Sequence, residues 1–304
     1  MKRVTITGGA GFIGYWTAKR LLEGGFEVKI LDNFHTARML EGIRKLDLEI
    51  LKVDIRDAKV LENALYGSDY IIHLAALISV EESAEKPALY HEVNATGTLN
   101  VLKAAVKAGV EKVVYASSAA VYGIPHELPI KEDHPTKPIS VYGASKLAGE
   151  AYCSSFYNTF GLKAIILRYF NTYGPGQSEE YAGVIKRFIE RIREGKPPII
   201  YGDGLQTRDF IYVEDVANAN LLALKSPIDF GIFNIASGES ITILILANMI
   251  SDLMGSNLKP VFAPPRKGDI KHSKANIQRA KKILGFEPQI NLRSGIRRII
   301  ERGT

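Results

Sequence analysis

The 304-residue chain has one cysteine, Cys153, so an intramolecular disulfide is excluded. Cys153 falls inside an apolar helical pattern, where a packed thiol is expected rather than a nucleophile. Long hydrophobic runs are missing as well. The strongest, Ile241 to Ile250, is interrupted by Thr242 and Asn248 and falls short of the ~18 apolar residues that cross a bilayer. The opening Met1-Lys2-Arg3-Val4-Thr5-Ile6-Thr7 runs straight into glycines without the apolar core of a signal peptide. Cytoplasm is therefore the expected location, with no membrane partner. Internal repeats and low-complexity tracts are also absent.

What is present is ordinary for a globular protein: 46% hydrophobic and 24% charged residues, enough for one large domain or two modest ones. The formal charge of +6 raises the question of nucleic acid. Lysines and arginines are spread along the chain with acidic residues between them, the pattern of a solvated surface, so no nucleic-acid partner is expected. Some of that charge is free to serve an anionic substrate.

Short β-branched runs alternate with helical patterns through the first half. Strands are predicted at Arg3 to Thr7, Glu27 to Leu31, Glu49 to Val53, Tyr70 to Leu74, Val110 to Ser117 and Leu162 to Tyr169. Helices are predicted near Phe12 to Glu23, Ala58 to Leu65, Val93 to Ala108 and Ser140 to Phe160. Strict alternation implies an α/β fold with a doubly wound, Rossmann-like parallel sheet, its ligands beyond the carboxyl ends of the strands. Pro125, Pro129, Pro135 and Pro138 exclude regular structure before the last of those helices. Beyond residue 170 the alternation breaks into shorter elements, which points to a second, smaller α/β substrate domain. The expected division is residues 1–170, plus a returning segment near 209–235, for the cofactor domain, and 171–208 with 236–304 for the substrate domain.

Residues 8 to 14 read Gly-Gly-Ala-Gly-Phe-Ile-Gly, directly after the first strand and opening the first helix. Gly8, Gly11 and Gly14 fit G-x-x-G-x-x-G, and Gly9, Gly11 and Gly14 fit G-x-G-x-x-G. Such glycines let the backbone approach a pyrophosphate, which the N–H groups of the helix start then bind. Asp32 closes the second strand, where a carboxylate accepts hydrogen bonds from ribose hydroxyls and repels a 2′-phosphate, so NAD is the expected cofactor. Arg38 nearby is the one residue that argues for NADP. No metal site is expected.

Tyr142 and Lys146 stand four residues apart on one face of a predicted helix. A tyrosine titrates near ~10, and a neighbouring cation stabilises its phenolate. Taken alone, the pair fits a solvated helix face as well as a catalytic base.

With these residues assembled, the chain resembles the extended short-chain dehydrogenase/reductase family, and within it the nucleotide-sugar epimerases of the UDP-glucose 4-epimerase type. The glycine motif, Asp54-Ile55-Arg56-Asp57, His73-Leu74-Ala75-Ala76, Ser117-Ser118-Ala119-Ala120-Val121-Tyr122-Gly123, Tyr142-x-x-x-Lys146, Arg168-Tyr169-Phe170-Asn171, Arg208-Asp209-Phe210 and Arg266-Lys267-Gly268-Asp269 occur in the family's order. The resemblance implies that Phe12, Ile13 and Asn33 accompany Gly8, Gly11 and Asp32 at the cofactor. It likewise places Asp54 and Ile55 on the adenine, and Leu74, Ala75 and Ala76 beside the cofactor. Asp57 reads as a helix cap, and Asn94 as either a cap or a cofactor contact.

The implied reaction oxidises a sugar hydroxyl and reduces the ketone from its other face. Tyr142 would move the proton, Lys146 would lower the tyrosine pKa and bind the nicotinamide ribose, and Ser118 would hold the reacting oxygen. Arg208 and Arg266 match family positions that grip the pyrophosphate, Asp269 one that takes the nucleotide ribose, and Asn171 one near a phosphate. Related dehydratases carry acidic residues after the position of Ser118, where this chain has Ala119 and Ala120. Ser273 matches a position bordering the sugar, and a small serine leaves room for an N-acetyl group. The alternatives are another enzyme of the family, acting on a uronic acid or a dTDP- or GDP-sugar, and a non-catalytic NAD sensor. The two long helices resemble those that build a family homodimer as a four-helix bundle.

Overall fold

The computed structural model describes residues 1–36, 39–177, 183–266, 268 and 270–302. Strand and helix alternate first as β1 (Arg3–Thr7), α1 (Phe12–Glu23), β2 (Glu27–Asp32), α2 (Leu40–Arg44), β3 (Glu49–Lys52), α3 (Ala58–Leu65) and β4 (Tyr70–His73). Then come α4 (Val80–Glu85), α5 (Pro87–Tyr90), a π-helical turn (His91–Thr96), α6 (Gly97–Ala108), β5 (Lys112–Ser118), α7 (Val141–Phe160), β6 (Lys163–Tyr169) and β7 (Asn171–Tyr173). The remainder is α8 (Val184–Arg193), β8 (Ile199–Tyr201), β9 (Thr207–Arg208), β10 (Phe210–Tyr212), α9 (Val213–Lys225), β11 (Phe230–Ile235), β12 (Ile241–Thr242), α10 (Ile243–Leu253), β13 (Val261–Ala263), α11 (Gln278–Leu284) and α12 (Leu292–Arg302).

Seven parallel strands form one sheet in the order β11-β6-β5-β4-β1-β2-β3. The order reverses between β1 and β4, and an open α/β sheet leaves a crevice at that point. The β-branched runs make continuous strands because both faces are covered. Ile6, Ile72 and Val114 lie in the core on one face, and Ile71, Val113 and Ile166 in the core on the other, all with no exposed surface. Each such side chain contributes roughly 1.5–3 kcal/mol by leaving water. A buried polar tie crosses the first of these cores, where Tyr169 donates to Asn220 (2.6 Å) and Asn220 donates to Thr17 (3.0 Å), linking β6, α9 and α1.

Local chemistry sets the helix ends. Asp57 accepts the amide N–H of Val60 (3.1 Å), and so caps α3 as its sequence position predicts. Ser140 does the same for α7 through Gly143 (3.0 Å), so that helix starts at Val141 and not at Ser140. The predicted helix from Val93 is regular only from Gly97, because the chain enters it through the π turn. Of the elements after β7, α8, β8, α10 and α12 pack a separate core around Phe188, Ile200, Leu246 and Ile296, whereas α9, β11 and α11 return to the large sheet and its core. Among the described residues, no helix is long and apolar enough to cross a membrane.

Candidate active site

A cleft of about 1150 Å³ opens where the strand order reverses. Gly8 follows β1 with a φ of +70°, and a methyl added there would lie 2.7 Å from the backbone nitrogen of Ala75, after β4. Glycine is therefore required where two loops close on each other. At the next turn, α1 begins at Gly11 with no side-chain cap and no acidic residue in its first turn. Its first N–H groups and the positive end of its dipole are therefore suited to an anion.

Asp32 takes the amide N–H of Ala10 (3.0 Å) on one oxygen and that of Phe34 (2.7 Å) on the other. Each carboxylate oxygen keeps a second acceptor position. Burial raises its pKa, and the Phe34 and Ala10 N–H groups oppose that rise. Phe34, at a φ of +62°, is held in its left-handed conformation by that bond. Asn33 donates to Asp54 (3.2 Å), and Arg56 closes on both Asp54 oxygens, holding that carboxyl well below the usual range. Phe12, Ile13, Ile55, Leu74, Ala75 and Ala76 line the same wall. These features fit a dinucleotide: a pyrophosphate-ready helix start, a carboxylate with free acceptor positions and an apolar slot. Arg38 lies outside the described residues.

Asn94 is buried beside this wall. Its amide accepts from Leu77 N (2.9 Å) and donates to Leu77 O and Ser145 Oγ (2.9 Å each). It caps no helix; it pins the loop after β4, whose Leu74, Ala75 and Ala76 line the cleft, to α7.

Ser118 ends β5, where its hydroxyl accepts the amide N–H of Ala120 (3.2 Å), and it shares the cleft wall with Tyr142 in the first turn of α7. Burial raises the Tyr142 phenol, and the neighbouring Ser118 hydroxyl offsets part of that rise. Lys146 is 4% exposed and its ammonium lies 4.5 Å from the centroid of the Tyr115 ring. Burial lowers its pKa to about 8, while Cys153 and Glu150 pull it up. Burial is the first influence on both groups, and the ammonium rests on the Tyr115 ring.

Asn171, Arg208, Arg266 and Ser273 border the far side of the cleft. Asn171 donates to the Asp209 carbonyl (2.9 Å), and Arg208 to the Thr207 carbonyl (2.8 Å). Arg266 stacks over Tyr201 at 4.1 Å and pairs with Glu81 at 3.4 Å. Asp269 lies outside the described residues. Glu150 and Glu132 escaped the sequence reading, and Arg168 entered it without a role. For Glu150 and Arg168 the one signal was charge within apolar surroundings, Glu132 stands among Lys131, Asp133 and His134 and gave none, and the partners of all three are distant in the chain.

Residues 4–236 match the NAD dependent epimerase/dehydratase family, and the chain belongs to it. The UDP-glucose 4-epimerase of Mycolicibacterium smegmatis is 38% identical over 306 residues, covering 98% of this chain and 97% of that protein. Among solved structures, the UDP-N-acetylglucosamine 4-epimerase of Methanobrevibacter ruminantium, in complex with UDP-N-acetylmuramic acid, superposes with a TM-score of 0.92 at 39% identity, covering 99% of this chain and 97% of that one. The UDP-glucose 4-epimerase of Thermus thermophilus, in complex with NAD, gives 0.91 at 38% identity, covering 98% of both chains.

Proposed function

We propose that the protein is an NAD-dependent epimerase that inverts C4 of a UDP-hexose, with UDP-glucose and UDP-galactose as its substrates and their N-acetyl forms also accepted. The observation that carries this reading is that Ser118, Tyr142 and Lys146 line one cleft in which Ser118 is followed by Ala119 and Ala120. Neither alanine can move a proton, so Tyr142 alone both removes one and returns it. Among the described residues, the carboxylates of the cleft wall are Asp32 and Asp54, at the β2 and β3 end, and Glu81, which is paired with Arg266.

When bound, NAD supplies the hydride acceptor and then the donor. Gly8, Gly11, Phe12, Ile13, Asp32, Asn33, Asp54, Ile55, the Leu74–Ala76 loop and Asn94, which also pins that loop, would hold it. Tyr142 takes the proton of the sugar hydroxyl, Ser118 holds the reacting oxygen, and Lys146 supplies the positive charge that favours the phenolate. Arg208 and Arg266 grip the diphosphate while the sugar turns over, with Asn171 and Asp269 beside the nucleotide. Ser273, 9% exposed at the cleft, leaves space at C2. We assign the cofactor domain to residues 1–170 and 209–235, and the substrate domain to the rest. A cytoplasmic homodimer fits the partly exposed Leu99, Val106 and Tyr152 on α6 and α7, and sedimentation would measure that state.

The test is a panel of UDP-, dTDP- and GDP-sugars assayed for interconversion without added reductant, with Tyr142→Phe as the control. Interconversion of UDP-glucose and UDP-galactose is expected, falling by roughly 10²–10⁴-fold in the variant. A protein that binds NAD yet interconverts no UDP-hexose, or a variant that keeps full turnover, overturns the assignment.

A further inference from the structure

β5 ends in two serines whose side chains alternate across the strand. Ser118 lines the cleft with Tyr142, whereas Ser117, 3% exposed, donates to Oε1 of Glu150 on α7. The same carboxylate takes Arg168 of β6, through Nε at 2.9 Å and Nη2 at 2.7 Å. Arg168 is the register partner of Ser117, donates Nη1 to the Glu132 carbonyl (3.0 Å), and stacks 4.7 Å from the centroid of Tyr122. Glu150 and Arg168 are 4% and 3% exposed. One carboxylate therefore ties two strands to a helix, one turn beyond Lys146 and two turns beyond Tyr142.

We propose that the Glu150–Arg168 ion pair is the positioning element of the reaction: it seats α7 on β5 and β6 so that Tyr142 stands with Ser118 in the cleft wall, and its Glu150 end is the anion that faces buried Lys146. The inference rests on the assignment of Tyr142, Lys146 and Ser118 to the chemistry. Stability alone does not account for the pair, because apolar residues of similar volume commonly serve a core as well as a buried ion pair does. The pair is fully hydrogen-bonded, and its partners come from every element that carries a proposed catalytic residue.

The surroundings of Lys146 leave this role to Glu150. From its own helix it faces Tyr142, Glu150 and Cys153, whose thiol burial keeps protonated. From β5 comes Tyr115, and from β4 comes His73, held neutral with its pKa down to about 3 by burial and by Lys146 itself. The π turn and α6 bring Asn94 and Thr98, which do not titrate. Glu82 of α4 is committed to Lys86 and Tyr90, and Glu132 to Asn234 and Arg279. β6 contributes Arg168, which Glu150 neutralises.

Three variants test the inference: Glu150→Gln, Arg168→Met, and the paired Glu150→Leu/Arg168→Met, which removes both charges together. The readouts are kcat and KM, and the ε-carbon NMR titration of Lys146 in ¹³C-lysine protein without substrate, assigned with Lys146→Met. Glu150→Gln leaves Arg168 uncompensated and moves the Lys146 midpoint down; Arg168→Met leaves Glu150 uncompensated and moves it up, each by about one pH unit. In both, kcat falls at least about ten-fold with KM within about two-fold, the signature of a lost transition-state interaction. The paired variant keeps a melting temperature near that of the parent, places the midpoint between those of the single variants, and retains the low kcat. Midpoints that stay put or move together, or parental kcat in the paired variant, overturn the inference. Should the single variants fail to fold, kcat of the paired variant decides. Because the Lys146 titration needs no turnover, opposite shifts in a protein inactive on every UDP-hexose would count against the proposed reaction and not against the ion pair.

Discussion

Gly11 and Gly14 belong to one motif but are glycines for different reasons, and replacing each with alanine separates them. A methyl at Gly14 would sit 2.4 Å from Gly8 O, 2.6 Å from Gly9 Cα and 2.6 Å from Gly9 O, all of them backbone atoms with no rotamer to yield. Overpacking of this kind costs about 1–3 kcal/mol, and three backbone contacts place it at the upper end. Alanine returns about 1 kcal/mol of helix propensity, leaving a net loss of about 2 kcal/mol. At ~2–4 °C per kcal/mol, Gly14→Ala is expected to melt roughly 5 °C below the parent. Gly11 stands at φ −78° and ψ 179°, extended backbone open to any residue, and its methyl would meet only Gly8 O at 3.3 Å. Gly11→Ala therefore costs less than about 1 kcal/mol of stability as an N-cap change. Its methyl enters the cleft floor, where a pyrophosphate must reach the backbone, so NAD affinity should fall at least about ten-fold, or 1.4 kcal/mol. Calorimetric melting of the NAD-free proteins and NAD titration by isothermal calorimetry measure the two effects. A Gly14→Ala protein melting within about 1 °C of the parent, or a Gly11→Ala protein that is the less stable of the two, would refute the reasoning.

His73 is buried neutral, with its pKa down to about 3 from 6.5, so the unfolded chain binds the extra proton between those values. Its contribution is complete above pH 6.5 and is lost as pH falls toward 3, on the order of 5 kcal/mol in all; denaturant titrations at pH 7 and pH 4 should show a smaller gap in His73→Gln. Ser273→Tyr should abolish turnover of UDP-N-acetylglucosamine while sparing UDP-glucose, and equal losses on both would remove Ser273 from the C2 pocket. Asp57→Ala should cost about 1 kcal/mol in urea unfolding through the lost α3 cap, without changing KM for the sugar nucleotide.

Local rules carried much of the molecule. Asp57 and Ser140 announce helix starts because a capping side chain needs only residues three positions away, and the Gly8 to Gly14 turn is equally self-contained. The π turn at His91–Thr96 was not legible, since nothing in its composition distinguishes it from the regular turns of α6. It serves Asn94, whose hydrogen bonds to Leu77 and Ser145 span 17 and 51 residues. The Glu150–Arg168 pair was hidden for the same reason: a buried ion pair is defined by two elements meeting, and each residue alone reads as a surface charge. The Lys146–Tyr142 spacing predicted a shared face correctly, but not which ring the ammonium would choose.

Glu81 and Arg266 lean toward each other from opposite sides of the cleft, and both are exposed. An exposed pair of this kind is worth no more than about 1 kcal/mol. If Arg266 takes up a diphosphate, it does so by changing partners, one anion for another, without ever standing as a lone charge. The mouth of the cleft then behaves as a loose clasp: incoming substrate undoes it at little cost, departing product lets it refasten, and salt weakens the fastened and the occupied state alike.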